Sequence, residues 1–193
     1  MDGVAKGPIQ AVSLPPRADG VPLAGIVGLD VFGDRTLDFD LARRAVSLLS
    51  PGSLPKLNGR PVQATATVGG LLTIPVMIGS VSATAVIDTG ARKTRINWAL
   101  GRLVGFDPAM LARGDTIQGA TNNGVETGRA RLPHVQIAGR KMKNMPVLVA
   151  DLPVFEGFGV AGKPAVILGL DWLVETRMVI DFPAQLIWFE RAT

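Results

Sequence analysis

Apolar residues along the chain fall in short blocks separated by turn residues. Gln63 to Val68 alternates, Leu71 to Ile78 is apolar around Pro75, and Val81 to Ile87 is small and β-branched and ends at Asp88. Period-two alternation and brief β-branched runs predict strands. Ile96 to Phe106 carries Trp98, Leu100, Leu103 and Val104, the pattern of a short helix. Thr116 to Leu132 predicts a hairpin turning at Thr121-Asn122-Asn123-Gly124, because Asn-Gly accommodates the positive φ of a tight turn. Val135 to Ile137 and Met145 to Val149 add further strands. Few apolar residues recur at three-four spacing, so the pattern predicts an all-β fold with one or two short helices.

The densest turn signal, Ser50-Pro51-Gly52-Ser53-Leu54-Pro55, predicts a boundary. An internal repeat ends just before it. Ile26-Val27-Gly28-Leu29-Asp30-Val31-Phe32 aligns with Ile167-Leu168-Gly169-Leu170-Asp171-Trp172-Leu173 at an offset of 167 − 26 = 141. The alignment continues without a gap to Leu49 over Glu190. Ile26/Ile167, Gly28/Gly169, Leu29/Leu170, Asp30/Asp171 and Asp40/Asp181 are identical, and apolar character is kept at Leu37/Met178, Phe39/Ile180 and Val46/Ile187. A Gly-Leu-Asp can recur by chance; the apolar pattern continuing through two strands is a much stronger sign of duplication.

Composition narrows the chemistry. The 193 residues include Gly 23 and Pro 14, suited to many turns, and 47% are hydrophobic, enough to bury a core. The formal net charge is +4 with basic residues scattered and aromatics at 5%, which reads as a solvated basic surface and not as a nucleic-acid groove. Cysteine is absent, which removes disulfides, thiolate nucleophiles and cysteine-zinc sites. The one histidine, His134, has no Gly-x-Ser-x-Gly elbow to accompany it and reads as a surface residue. Paired-histidine metal sites are excluded, no cofactor is implied, and hydrolytic chemistry is left to carboxylates. No apolar run approaches the ~20 residues of a membrane-spanning helix. The stretch Met1 to Lys6 has no signal-peptide pattern, so the chain either lacks one or was cut from something longer.

Two motifs carry the candidate chemistry: Ala85-Val86-Ile87-Asp88-Thr89-Gly90-Ala91 and Val166-Ile167-Leu168-Gly169. Asp-Thr-Gly alone is a common β-turn. An apolar strand into Asp-Thr-Gly-Ala, followed by Ile-Leu-Gly and the duplicated tail, resembles the pepsin/retropepsin superfamily of aspartic proteases, and its bacterial two-lobed members in particular. The resemblance implies a retropepsin-like acid-protease barrel lobe and endopeptidase activity on peptides or proteins. It favours a periplasmic or otherwise extracytoplasmic setting. Hydrolysis by this route uses two carboxylates about 3 Å apart that share one proton, one activating water and the other polarising the carbonyl. Asp88 would be one of them. Thr89 would bond across to the partner lobe, and Gly90 would let the backbone turn and donate to the carboxylate. Ile167-Leu168-Gly169 would pack beneath the Asp88 loop and lead into a short helix at Asp171–Val174. The Thr116–Leu132 hairpin would be a flap over an extended substrate, with Ala91, Asn122, Asn123 and Gly124 contacting it.

Other residues have plainer readings. Asp30 and Asp171 follow the Gly of the apolar-apolar-Gly motif and read as helix-capping or ion-pairing groups. Arg92 and Lys93 read as solvated loop charges, and Trp98, Trp172 and Trp188 as core. Under the resemblance, residues 1–50 are the C-terminal part of a first lobe, 51–60 a linker and 61–193 a complete lobe. The counterpart of Asp88 would fall at 88 − 141 = −53, before Met1. The second aspartate could come from a missing upstream lobe or from a second copy of the chain on a two-fold axis. The remaining reading is a fold used without catalysis, for peptide binding or oligomerisation.

Overall fold

The computed structural model of the chain describes residues 13, 20, 25, 27–28, 31–32, 35–67, 70–118, 124–174 and 176–191. The strands are β1 Thr36–Asp40, β2 Ala45–Leu49, β3 Val62–Gln63, β4 Thr65–Ala66, β5 Leu72–Ile78, β6 Val81–Ile87, β7 Arg95–Ile96, β8 Ala112–Arg113, β9 Ile117–Gln118, β10 Gly124–Val125, β11 Gly128–Ile137, β12 Arg140–Val149, β13 Ala165–Leu168, β14 Thr176–Asp181 and β15 Leu186–Arg191. Among the described residues three short α-helices, α1 Trp98–Leu103, α2 Val154–Gly157 and α3 Leu170–Leu173, and a 3-10 turn at Pro108–Met110 complete the mostly β fold, where the sequence predicts one or two helices.

Six strands close a barrel. Neighbours run β5-β6-β13-β7-β12-β11, and β11 returns to β5 through Val135↔Ile78, Gln136↔Met77 and Ile137↔Val76. Closure leaves no open edge among these six. The alternating burial of β5 follows its sequence, with Leu72, Ile74, Val76 and Ile78 inward. Pro75 fits because it lies in a gap on that side of β5: β4 pairs with Leu72 and Thr73, and β11 only from Val76 onward. Its missing N–H therefore breaks no ladder. Strand β13, Ala-Val-Ile-Leu, is buried throughout, as a strand enclosed on both faces must be. Helix α1 starts at the buried Asn97, whose Oδ1 accepts from Leu100 N at 3.0 Å and Ala165 N at 3.1 Å while Nδ2 donates to Lys163 O at 2.7 Å.

Three predicted strands come out differently. The block from Gln63 divides into β3 and β4 because Ala64 N turns to Gln185 O, so β3 joins β15 in another sheet while β4 stays with the barrel; Val68 lies outside the described residues. The strands expected at Val135 and Met145 are the inner ends of two ten-residue strands, β11 and β12, joined by a turn with Ala138 at φ 51 and Gly139 at φ 77. Polar residues on their outer faces mask the length from an apolar reading.

The second sheet has the order β2-β1-β14-β15-β3. Its centre follows the sequence repeat. Asp38 faces Val179, and 38 + 141 = 179, so each strand residue faces the repeat equivalent of its partner's symmetry mate. Strands β1 and β14 are thus related by a local two-fold axis through that pair, and β2 corresponds to β15. The turns agree. Arg44 and its equivalent Gln185 both have positive φ, at 55° and 53°. Asp40 Oδ1 accepts from Arg43 N, and Asp181 Oδ1 accepts from Ala184 N, both at 3.1 Å. This common turn is the physical reason the repeat keeps Asp at both positions. Leu37 is fully buried, and Arg177 ties the strands together through Asp38 at 2.6 Å and Glu190 at 3.1 Å. Its hydrogen bond to Asp38 raises the Arg177 pKa against the opposing effect of burial. Residues 51–61 contain no strand or helix. Of the repeat's first copy, Ile26, Leu29 and Asp30 lie outside the described residues.

Candidate active site

Strands β6 and β13 run parallel in the register Leu168↔Ile87, so both apolar runs finish at the same end of the barrel. Asp88 emerges there. Its N–H donates to Leu168 O at 3.2 Å, Ala91 N donates to Asp88 O at 3.1 Å, and Gly90 N donates to the carboxylate Oδ1 at 2.9 Å. A Cβ on Gly90 would lie 3.1 Å from that oxygen, so glycine leaves the carboxylate its place. Thr89 and the Asp88 side chain are part-buried, and Gly90 is exposed.

The loop is fastened from behind by three groups. Asp171 Oδ1 accepts from Thr94 N at 2.8 Å and from Thr94 Oγ1 at 2.7 Å, and Thr94 Oγ1 accepts from Gly169 N at 3.0 Å. Leu170 N donates to Ala91 O at 2.8 Å. Gly169 has no room for a side chain: a Cβ would sit 2.7 Å from Lys93 C and 2.9 Å from Ala91 O. Ile167-Leu168-Gly169 thus lies directly under the loop, and the following helix starts one residue early, at Leu170. Asp171 does not cap that helix; Gly169 is the N-cap, without a side-chain bond, and the carboxylate is used across the loop by Thr94. The Asx geometry of a first-turn aspartate loses here to a closer pair of donors.

The barrel has two apolar faces. Ala85, Ile87, Ile96, Val166 and Leu168 point into the main core, while Val86, Ala91, Ile167 and Phe155 form a second cluster. Alternation places Asp88 toward the side of Val86. The two-stranded ribbon β9–β10, register Val125↔Ile117, packs Ile117 and Val125 against that second cluster. It stands on β8, which pairs with the first residues of β11. Cross-links brace its arms: Thr127 Oγ1 donates to Asp115 O at 2.8 Å, and Arg129 pairs with Asp115 at 2.7 Å. The ribbon is shorter than the predicted Thr116–Leu132 hairpin, because from Gly128 the returning chain is already barrel strand.

Among the other sequence-derived candidates, Ala91 has its methyl buried and both backbone groups engaged, so it forms the floor of the loop. Gly124 is exposed and opposes Gln118 in the ribbon. Asn122 and Asn123, expected from the sequence as the turn of the hairpin, lie outside the described residues. Arg92, Lys93 and His134 are exposed; Trp172 and Trp188 are buried, and Trp98 packs against the main core. Among the described residues no group of three or more His, Asp or Glu side chains is placed to hold a metal ion. No helix among them is long and apolar enough to cross a membrane.

Two nearby residues escape a motif-based reading. Thr94 carries the loop's fastening, and its signal is only a threonine four residues beyond the Asp-Thr-Gly. Arg95 is the other. It faces Ile167 on one side and Leu148 on the other, opposite in direction to the buried Ile96. A charge in a two-residue strand beside a core isoleucine is the available clue.

A closed six-strand barrel, with an Asp-Thr-Gly loop over an Ile-Leu-Gly strand end and a β-ribbon above, defines the retropepsin-like class of fold. The family described as aspartyl protease matches residues 74–172, just over half of the 193, and the chain belongs to this aspartyl protease family. Among solved structures, the chain is similar to a retropepsin-like aspartic protease from Rickettsia conorii, with 22% identity over 62% of this chain and 84% of that one and a TM-score of 0.45. It is also similar to the EIAV protease complexed with the inhibitor HBY-793, with 24% identity over 63% of this chain and 91% of that one and a TM-score of 0.40. No curated protein sequence matches the chain.

Proposed function

We propose that the chain supplies one half of an aspartic endopeptidase site, with Asp88 as its catalytic carboxylate. The observation that carries this is the Asp88 carboxylate held by Gly90 N at the end of paired parallel strands, on the side covered by the ribbon. A carboxylate fixed in this way is ready to share a proton with a second one and to orient a water on a peptide carbonyl. Thr89 and Gly90 act with it, the ribbon serves as the flap, and an extended peptide pairs with the main chain between them.

The second aspartate comes from outside the sequence described. The pairing of β1 with β14 about a local two-fold supports residues 1–50 as the tail of a first lobe, 51–60 as a linker and 61–193 as the full second lobe. It also weighs against a symmetric dimer built through β14, whose outer edge β1 already covers. The upstream-lobe source is therefore the reading supported best. The single Asp-Thr-Gly in the chain favours the second reading, a peptide-binding or oligomerising module without catalysis.

The deciding experiment is hydrolysis of a denatured protein substrate by the chain joined to its upstream sequence. Asp88→Asn should reduce cleavage to the background level with an unchanged circular-dichroism spectrum and melting temperature. Cleavage that survives this substitution removes Asp88 from the chemistry; absence of cleavage by the unaltered protein supports the binding-module reading.

A further inference from the structure

The site contains a cation that the aspartate chemistry does not use. Arg95 lies on β7, two strands over from the strand that delivers Asp88, because the order is β6-β13-β7. Val86, Ile167 and Arg95 are lateral neighbours in this order: Ile167 pairs with Val86 on one side and with Arg95 on the other. Directly paired residues project to the same face of a sheet. The Arg95 side chain thus leaves the barrel on the face of the second apolar cluster, where the ribbon packs, while Ile96 enters the main core. Its other lateral neighbour, Leu148, is buried and lies beneath the ribbon's base, since a Cβ on Gly114 would meet Leu148 Cδ2 at 3.1 Å.

Arg95 is poorly satisfied in this position. Its Nε is buried without a hydrogen-bond partner. Among the described residues its side chain makes no hydrogen bond and no ion pair, although Arg43, Arg113, Arg129 and Arg177 all find carboxylates. Burial lowers the Arg95 pKa from its ordinary value, and the charges of Asp88 and then Asp171 oppose that effect. Asp171 is engaged by Thr94, and Asp88 by Gly90 N. A part-buried guanidinium with an unused planar fork is suited to receive a carboxylate, and its buried Nε without a partner carries a cost.

We propose that Arg95 is a specificity residue that receives an acidic side chain, Asp or Glu, of an extended peptide laid between the Asp88 loop and the ribbon. The proposal rests on the reading of Asp88 as a protease carboxylate facing a peptide. The lateral distance of two strands from the Asp88 strand places the acidic side chain beside the scissile bond and not at it. Asp88 and the peptide acid are then kept apart, with Arg95 offsetting the repulsion between them.

The test uses three random decapeptide libraries that differ only in a central Glu, Gln or Lys. Retention of each by the full chain carrying Asp88→Asn, which does not consume the probe, is measured by equilibrium dialysis and mass spectrometry. The Glu library should be retained about tenfold over the Gln library, as for one charge-assisted pair. Arg95→Leu should bring the ratio to about one, Arg95→Lys should keep a preference for Glu, and Arg95→Glu should turn the preference toward the Lys library. Melting curves identify any variant that has not folded, and the lysine variant then carries the comparison. Equal retention of the Glu and Gln libraries, or a Glu preference that Arg95→Leu leaves intact, overturns the proposal. Failure of the protease reading has a different signature: selective retention by the full chain, with no cleavage by the unaltered chain joined to its upstream sequence.

Discussion

Gly169 and Thr94 show how narrowly the Asp88 loop is held. Both act on backbone. Gly169 admits the carbonyls of Ala91 and Lys93 to distances that a side chain would forbid, and Thr94 answers Gly169 N with its hydroxyl while Asp171 holds Thr94 in place. Gly169→Ala should destabilise the fold by about 1–3 kcal/mol, since the obstructing atoms are main chain and cannot swing away. Urea unfolding followed by tryptophan fluorescence reads this, and an unchanged midpoint would show that the loop has slack. Thr94→Val keeps the shape but leaves Gly169 N and Asp171 without their shared hydroxyl. A loss of about 1–3 kcal/mol is expected, larger than that of an exposed threonine such as Thr65. The sequence marks Gly169 through its motif. It does not mark Thr94 or Arg95, because their significance comes from strand β7 lying beside β13, a contact between segments more than seventy residues apart.

At the scale of elements, the informative pair is β1 and β14. The repeat predicts that they are alike; the register adds that they pair with each other, Leu37 facing Ile180 and Phe39 facing Met178. Leu37 is fully buried in that contact. Leu37→Ala should therefore cost about 2–5 kcal/mol, the range for truncation in a core and not for trimming a loosely attached tail. A melting temperature shifted by less than a degree would mean that β1 docks weakly and that the barrel is stable without it. A hairpin in this region was legible in the sequence, but Gly124, expected to take the positive φ of its turn, is a strand residue opposite Gln118; the lengths of β11 and β12 were not legible, because half of each strand faces solvent with Arg, Lys and His. Such residues weaken an apolar signal without weakening main-chain pairing.

Across the whole molecule, the barrel is closed, but the second sheet draws two of its five strands, β2 and β1, from residues that precede the turn-rich boundary. Removing residues 1–50 exposes the edge of β14 and the apolar positions that Leu37 covers. An uncovered edge beside apolar surface recruits another strand, so the truncated chain should self-associate in a concentration-dependent way that light scattering detects, and a strictly monomeric truncated chain would contradict it. The sequence by itself determined the β class, the Asp-Thr-Gly and Ile-Leu-Gly motifs and the duplication, because these are written in local periodicity and identity. Asp88 was therefore visible as a candidate from the start. Only the tertiary structure decided that Asp171 serves Thr94, that β1 lies on β14 about a two-fold axis, and that Arg95 stands unpaired on the side of the ribbon. Each of these depends on which distant strands become neighbours, and that is fixed by closure of the barrel and burial of its two apolar faces, not by any local stretch of residues.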